Sequence, residues 1–528
     1  MLSLVRSGVS AMKKIFGILI VLAVFFAFVI LVVAPQQGGL VSSTEYRISD
    51  LQAANPEYNE SLPIQTVDMG SSGRSIFIAV VMLSHVLYAN LHLGGAWVAA
   101  GTESAYLFGK RPRFKRLARS LTLFNVIIFS AGATFAIAGV LFFISLYPAF
   151  SAQAFHIYWW PLLAEAITFA SGIFFLYSYW FTWDKISPKW HQVLGYAYAV
   201  DVFIQTFLIN MLAAGMLTPG QPAISWGSAG LFTMPLQDLL AWWFNPTLWI
   251  LQFHRLFAAI SYFGFLMGLI AMFHYLDRKD EPSKQYWDMV GSYGLTWGLL
   301  GLVVQPVLGL IYMRTIFLNQ PTPFRMIMLG PRAWEMLLMV GLLSLLVISA
   351  IVYMMDRRER LLAQPENQVL KKIFPVFLVV AAFSGFILIQ PAYLGFGLNP
   401  LGYMSYKLAA LFLLIVIGAM MLGIDAMMLG KSREAEWGNL SSTSRGALMI
   451  AGVLGMWIVV VMGYVRESAR APFIISNIIP VPGGTLFPTP IPMIQIFQVW
   501  AIITVAAILV FWFVSKVTAH HPEKAEEV

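Results

Sequence analysis

The chain of 528 residues contains no cysteine. It therefore cannot form a structural disulfide, hold an iron–sulfur cluster on thiolates, or attach a c-type heme covalently. Nucleotide-binding glycine motifs and soluble catalytic-triad motifs are absent as well, and no internal repeat or low-complexity segment occurs. Any redox cofactor of this chain must depend on histidine, methionine or carboxylate ligands.

Charged residues are also scarce, at 11%, whereas 59% of the residues are hydrophobic and the mean hydropathy is +0.75. Many apolar runs exceed the roughly 18–20 residues that cross a bilayer as a helix. The sequence predicts an all-α fold, a polytopic transmembrane helical bundle with about twelve spans. The predicted spans are 15–34, 76–104, 120–147, 157–182, 192–216, 250–276, 290–313, 334–355, 372–394, 403–430, 445–466 and 493–515.

Basic residues cluster in alternate loops, beginning with Lys13 and Lys14 and continuing with the run at 110–116. Basic loops stay on the cytoplasmic side, so we expect a multi-pass protein of a bacterial or archaeal cytoplasmic membrane with both termini cytoplasmic. The net charge of +8 then reflects topology and anionic lipid, not nucleic acid. The first span is predicted to be a retained signal anchor, because Pro35 follows the small-residue site at Ala34.

Four ionisable residues lie in or at the end of four different apolar segments: His85, Glu165, His254 and Glu467. Such groups cost roughly 2.5–3.5 kcal/mol at membrane depth, so each requires a reason. The predicted topology places all four toward the outer face, with Arg470 nearby. Imidazole and carboxylate can ligate heme iron, and a guanidinium suits a propionate. The pattern predicts hemes near the outer surface.

Each of these residues has a plainer interpretation when taken singly. A membrane histidine is often a hydrogen-bonded packing residue, a glutamate often relays protons, and Glu467 with Arg470 can form an ordinary i,i+3 pair. The coincidence of four such groups in one layer favours hemes. The eight histidines do not fit a heme-copper oxidase, because the only adjacent pair, His520 and His521, lies in the tail.

Short motifs, in order along the chain, resemble those of the large heme-bearing subunit, subunit I, of the cytochrome bd oxidases. The resemblance covers roughly residues 74–314 and 400–515. Its motifs are Ser84-His85-Val86-Leu87-Tyr88 with Gly94 and Thr102-Glu103-Ser104, Pro161-Leu162-Leu163-Ala164-Glu165 with Thr182-Trp183-Asp184-Lys185, Asn245-Pro246 with His254, and Arg466-Glu467-Ser468-Ala469-Arg470-Ala471-Pro472-Phe473.

The resemblance implies a role for each site residue. His85 and Glu467 would ligate high-spin hemes and His254 a low-spin heme. Glu165 would border the oxygen-reducing heme, and Arg470 would anchor propionates. Together these roles imply two or more hemes b, with heme d as a further option.

Several positions depart from the family pattern. The family's Arg-x-Met, whose methionine completes the low-spin heme, aligns with Lys407-Leu408-Ala409, so Met404 or Met336 is the candidate substitute. The family's second glutamate, eight residues after the first, is Ile173. The long quinol-binding loop is missing, and two apolar spans stand in its place.

We therefore expect a divergent oxidase subunit that reduces oxygen to water with electrons entering from the outer face. A second membrane subunit and a periplasmic cytochrome c, or another donor subunit, are the expected partners. The predicted division of the chain is 1–35 signal anchor, 36–75 periplasmic segment, 76–314 heme-binding core, 315–400 inserted helix pair, 401–515 second part of the core, and 516–528 cytoplasmic tail.

Two other functions remain open from the sequence. One is a heme b subunit that only transfers electrons within a larger respiratory complex. The other is a heme-free proton-coupled transporter that uses Glu165, Asp201, Asp425 and Lys407. His92, two turns from His85, and the two aspartates are either proton-path groups or hydrogen-bonded packing residues.

Overall fold

The computed structural model describes residues 70–220, 236–328, 330, 332–361, 368–390, 405–431, 437–480 and 491–519. These residues form thirteen α-helices and one two-stranded antiparallel hairpin. The helices are α1 Gly70–Gly109, α2 Pro112–Leu146, α3 Pro148–Phe181, α4 Pro188–Leu217, α5 Leu236–Trp243, α6 Leu248–Asp277, α7 Glu281–Asn319, α8 Pro321–Met328, α9 Ala333–Leu361, α10 Gln368–Leu388, α11 Ser405–Lys431, α12 Ser442–Ala469 and α13 Ile491–Ala519, and the strands are β1 Phe473–Ile475 and β2 Ile479–Pro480.

The predicted all-α membrane bundle is confirmed. In the described ranges, ten helices are long and apolar enough to cross a membrane. The predicted span 372–394 forms the shorter helix α10, whose apolar part covers Lys372–Leu388. The predicted signal anchor at 15–34 lies outside the described residues.

Local sequence fixes where the helices begin at one end of the bundle. Pro112 and Pro188 occupy the first turns of α2 and α4, where a missing backbone N–H costs nothing. Asp280 caps α7 by accepting a hydrogen bond from the Ser283 amide at 2.9 Å. Short connections between helices place the basic residues of 110–116 and 278–279 at this same end, which we call the basic end.

The first and sixth helices cross at close range. A Cβ atom on Gly94 of α1 would overlap the backbone carbonyl of Ala259 in α6, so this crossing requires glycine. Small residues permit such close backbone approach between membrane helices. The crossing fixes the depth of α1 relative to α6, and each helix carries one of the predicted heme-ligating histidines in its half away from the basic end.

Helix α9, which the sequence predicts to be an insertion, is part of the core. It packs along α12, and Leu337, Leu342 and Ile351 are fully buried. Arg357 near its end forms an ion pair with Asp425 of α11, at 2.6 Å between Nη1 and Oδ1, and both side chains are almost completely buried. A helix fixed in this way is integral to the bundle.

Candidate functional site

His85 lies half-buried on α1, and its Nδ1 is 3.1 Å from the carbonyl oxygen of Gly132 on α2. Because a carbonyl can only accept a hydrogen bond, Nδ1 must donate the proton. In the neutral ring, Nε2 then carries the lone pair. A backbone carbonyl that holds the second ring nitrogen is the usual support of a metal-binding histidine.

His254 lies near the start of α6 and faces α7. Its ring centre is 6.0 Å from that of Tyr312, and Gln305 donates to its backbone oxygen at 2.5 Å. Gly309, also on α7, lies opposite the ring, since a Cβ atom there would be 3.6 Å from Nε2. The glycine keeps open the side from which Nε2 can be approached.

Three arginines lie near Tyr312 at the same end of the bundle. Arg255, Arg466 and Arg470 all interact electrostatically with it, and Arg255 also interacts with His85. The structure thus brings together the two histidines from α1 and α6, the tyrosine from α7, and two arginines at the end of α12. We call Arg255, Arg466, Arg470 and Tyr312 the arginine cluster.

Neutral groups partly hold these arginines in place. Arg255 donates to Asn210 Oδ1 at 2.5 Å, and Arg466 donates to the carbonyl oxygen of Ala213 at 2.6 Å, both on α4. Burial, with Arg466 as a second cause, lowers the pKa of Arg470 well below its ordinary value. Arg470 is buried and Arg255 and Arg466 are half-buried, and the latter two are held by neutral groups, so negative charge beside them would stabilise the cluster.

The arginine cluster retains unused hydrogen-bonding capacity. In the part of the chain that the structure describes, Nε of Arg466, Nε of Arg470 and the hydroxyl of Tyr312 are buried without a hydrogen-bond partner. Guanidinium groups bind carboxylates through paired hydrogen bonds. The cluster therefore fits the propionates of heme, in both charge and donor chemistry.

The predicted ligand Glu467 is half-exposed at the end of α12, with 54% of its side chain accessible, and it forms an ion pair with Arg470. Arg470 also donates to the carbonyl oxygen of Ile474 in β1. The structure therefore brings Glu467 to the edge of the cluster through its partner, rather than into the interior.

Glu165 lies half-buried on α3, and its surroundings link α3 to α4 rather than to the arginine cluster. Thr168, one turn further, donates to the Glu165 carbonyl and accepts at its own carbonyl from Gln205 at 2.7 Å. Gln205 also donates to Asp201 at 2.9 Å, and Ser171 donates to the same aspartate at 2.6 Å. Asp201 is thus a fully engaged acid between two helices.

The described residues offer few candidates for the predicted sixth ligand of a low-spin heme. Met404 lies outside the described residues, and Met336 of α9 packs against the main hydrophobic core. Lys407 is buried and donates to the carbonyl oxygens of Leu388 and Gln390 at the end of α10. Ala409, which aligns with the family's methionine, is exposed on α11.

Sequence reasoning missed Arg255 and Tyr312 as site residues, and it treated Arg466 only as part of a motif. An arginine directly after His254, within an apolar run, is a signal that could have identified Arg255, since such a charge is costly in a membrane. It also missed Glu335 of α9, which is buried and accepts from Arg332 at 3.0 Å and from Ser468 at 2.9 Å.

The described residues contain no group of three or more histidine, aspartate or glutamate side chains able to cage a bare metal ion. An iron held in a porphyrin requires only one or two axial side chains, so single histidines at the arginine cluster suffice for it. The fold and the site define a polytopic helical membrane protein with a histidine–arginine site suited to hemes.

Comparison with known proteins shows which family the chain resembles. Residues 74–329 match the family of cytochrome bd terminal oxidase subunit I. Cytochrome bd ubiquinol oxidase subunit 1 of Bacillus subtilis (strain 168) is 25% identical over 226 residues, which is 42% of this chain and 47% of that protein. The match thus spans about half the length of the curated relative.

The fold agrees with a solved structure, that of bd oxidase from Geobacillus thermodenitrificans. The TM-score is 0.54 with 16% sequence identity, over 85% of this chain and 98% of the matched chain. These findings confirm the recognition made from the motifs: this chain is a divergent relative of cytochrome bd oxidase subunit I.

Proposed function

We propose that the chain is the heme-bearing subunit of a bd-type oxygen reductase in a bacterial or archaeal cytoplasmic membrane, with its basic end cytoplasmic. The observation that carries the proposal is the arginine cluster, whose three buried donors without partners adjoin two histidines in a relative of subunit I. Guanidinium groups whose N–H donors are buried without a partner are costly unless an anion compensates them.

Each predicted ligand has its own role in binding heme. His85 would hold one high-spin heme, with Nε2 presented because Gly132 holds Nδ1. His254 would hold the low-spin heme. Glu467 would ligate the other high-spin heme, and Arg470, its partner in the ion pair, would bind a propionate. When bound, hemes supply electron transfer and oxygen binding, and at least some of them are expected to be heme b.

The surrounding protein would orient and insulate these groups. Gly309 leaves room beside His254, and Tyr312 with the arginines fixes the propionates. Glu165, half-buried near the middle of α3, would face the reactive iron or deliver protons to it.

The electron donor follows from the inserted helices. Because α9 and α10 occupy the part of the chain where the family has its quinol-binding loop, we propose that electrons arrive at the outer face from a periplasmic cytochrome c or another membrane subunit. A second membrane subunit would cover apolar side chains exposed on α3, including Ile167 and Phe174.

Oxygen consumption by the purified protein tests this function. We expect rapid oxygen consumption with reduced cytochrome c as donor and slow consumption with a short-chain quinol. Rapid quinol oxidation by the chain without a partner would contradict the proposed donor. Absence of oxygen consumption with any donor, in a preparation that contains heme, would support the second candidate, an electron-transfer subunit.

That second candidate is favoured by one observation, the pairing of half-exposed Glu467 with Arg470, which leaves fewer interior ligands for high-spin hemes. The heme-free transporter has less support. Asp201, Asp425 and Lys407, three of the four groups it would use, are each engaged in hydrogen bonds or an ion pair within the bundle.

A further inference from the structure

Three titratable side chains lie on the same face of helix α1. Successive positions of an α-helix differ by about 100°, so Glu103, His92 and His85 lie within about 20° of one line along the helix. Glu103 is near the basic end and His85 is in the opposite half. Glu103 and His92 are buried and have no part in heme binding as proposed above.

At the basic end, Glu103 and His191 hold one proton between them. His191 Nε2 lies 3.0 Å from the carbonyl oxygen of Tyr179 and must donate to it. His191 Nδ1 lies 2.6 Å from Glu103 Oε1, while the Tyr179 hydroxyl donates to Oε2 at 2.8 Å. A short contact between Nδ1 and Oε1 requires one proton, on either the imidazole or the carboxyl group. The contact therefore joins a carboxyl group to an imidazole, two kinds of side chain that transfer protons in enzymes.

Two turns further along α4, Tyr198 places its hydroxyl 3.0 Å from His92 Nδ1. The Tyr179 ring lies between the two pairs, with its centre 4.8 Å from that of His191 and 6.4 Å from that of Tyr198. A phenol hydroxyl both donates and accepts, so it can pass a proton to an imidazole while taking another from the opposite side. All of these side chains are buried.

The polar line continues on α4 toward the proposed heme layer. Tyr198 interacts electrostatically with Asp201, one turn along the helix. Asp201 and Gln205 then bond to Ser171 and to the Thr168 carbonyl of α3, next to the turn that contains Glu165. Polar groups on three helices thus extend from near the basic end to the half of the membrane that holds the predicted ligands.

We propose that Glu103, His191, Tyr198 and His92 form a proton route from the basic end of the bundle toward the heme layer. The proposal rests on the proposed function, because reduction of one oxygen molecule to two water molecules consumes four electrons and four protons. Electrons would enter from the outer face, and the protons would come from the cytoplasm through this line. Reduction of oxygen would then move charge across the membrane.

The bonded Tyr198 and His92 pair has a matched control on the same two helices. Tyr196 of α4 bonds through its hydroxyl to Ser104 of α1 at 2.8 Å, outside the proposed line. Tyr198→Phe and Tyr196→Phe each remove one hydroxyl group and keep the ring. Both variants lose one hydrogen bond between α1 and α4, so loss of that bond alone predicts similar effects for the two.

The test is a single-turnover experiment on the purified, heme-loaded protein. Fully reduced protein is mixed with oxygen in H₂O and in D₂O, and heme reoxidation is followed optically. Positioned proton-transfer groups contribute about 10²–10⁴-fold. We expect at least a tenfold slower proton-coupled phase and a larger solvent isotope effect for Tyr198→Phe, with heme content and the CO spectrum unchanged. Tyr196→Phe should match the wild type.

His92→Gln keeps a hydrogen-bonding partner for Tyr198 but cannot carry a proton, and it should show the same loss even if Tyr198→Phe fails to fold. Wild-type rates in both line variants, or equal losses in Tyr198→Phe and Tyr196→Phe, would overturn the proton route alone. A wild-type protein that holds heme but does not react with oxygen would overturn the proposed function, and this route with it.

Discussion

The Nδ1 atom of His85 on α1 is hydrogen-bonded to the backbone carbonyl of Gly132 on α2, at 3.1 Å. The carbonyl fixes the tautomer, so Nε2 is the nitrogen that can bind iron in the neutral ring. Since the partner is a backbone group, no substitution of a neighbouring side chain removes this orientation. His85 itself is therefore the residue whose replacement tests the high-spin heme.

We predict that His85→Ala lowers the heme content by roughly one heme per chain, because a high-spin iron depends on a single axial side chain. Pyridine hemochrome quantification measures the loss. His274→Ala is the control, since His274 is a buried histidine near the basic end that stacks on Trp287. Equal heme content in both variants would remove His85 from the ligand set.

A second prediction concerns the space beside His254. Gly309→Leu places a bulky side chain against Nε2. Overpacking costs about 1–3 kcal/mol, which corresponds to a roughly 5- to 150-fold loss of low-spin heme occupancy. The low-spin α-band of the reduced spectrum measures it.

Gly423→Leu is the matched control, because a Cβ atom at Gly423 of α11 meets no atom within 4 Å. Its spectrum should equal that of the wild type. A Gly309→Leu variant with a normal α-band would show that the iron does not approach His254 from this side.

The buried ion pair of Arg357 and Asp425 should matter for stability rather than for spectra. Asp425→Ala leaves a buried guanidinium without its carboxylate, at a cost of about 3–5 kcal/mol. Thermal unfolding in detergent should show a lower melting temperature with unchanged heme bands. The double variant Arg357→Met/Asp425→Leu should recover much of the loss, because it removes both charges.

Lys115→Met provides the control for that experiment. It breaks the exposed pair with Asp184, and such pairs contribute about 0–1 kcal/mol. A melting temperature lowered equally by Lys115→Met and Asp425→Ala would contradict the structural role assigned to the buried pair.

A fourth prediction concerns the missing methionine. The resemblance matches Ala409 to the family's low-spin ligand, yet Ala409 is exposed on α11. We expect Ala409→Met to leave the low-spin spectrum unchanged, because the new side chain would point away from the interior. A shifted or sharpened α-band would show that position 409 reaches the iron and that the helix lies differently in the loaded protein.

The sequence was sufficient to predict the membrane bundle and most of its spans, since apolar length alone decides whether a helix can cross a bilayer. The predicted span 372–394 was displaced along the chain, because α10 runs from Gln368 to Leu388, where Lys407 donates to the carbonyl oxygen of Leu388. The contact forms between two helices that are distant in the sequence, so the local sequence of either helix could not predict it.

Contacts between different helices also limited what the sequence could predict about the site. His85 and His254 were recognisable as single histidines in apolar runs, whereas the clustering of Arg255, Arg466 and Tyr312 depends on how α6, α7 and α12 cross. The hydrogen-bond partner of His92 could not be predicted from the sequence either. Tyr198 lies on another helix, and only the packing of α1 against α4 shows that the two side chains are bonded.

The central claim is that the arginine cluster and its histidines hold hemes that react with oxygen. Reduced-minus-oxidised and reduced-plus-CO optical spectra of the purified protein, with pyridine hemochrome quantification, test it most directly. We predict more than one heme per chain and a CO-sensitive high-spin component beside a CO-insensitive low-spin one. A colourless protein, or one whose heme is entirely insensitive to CO, would contradict the account.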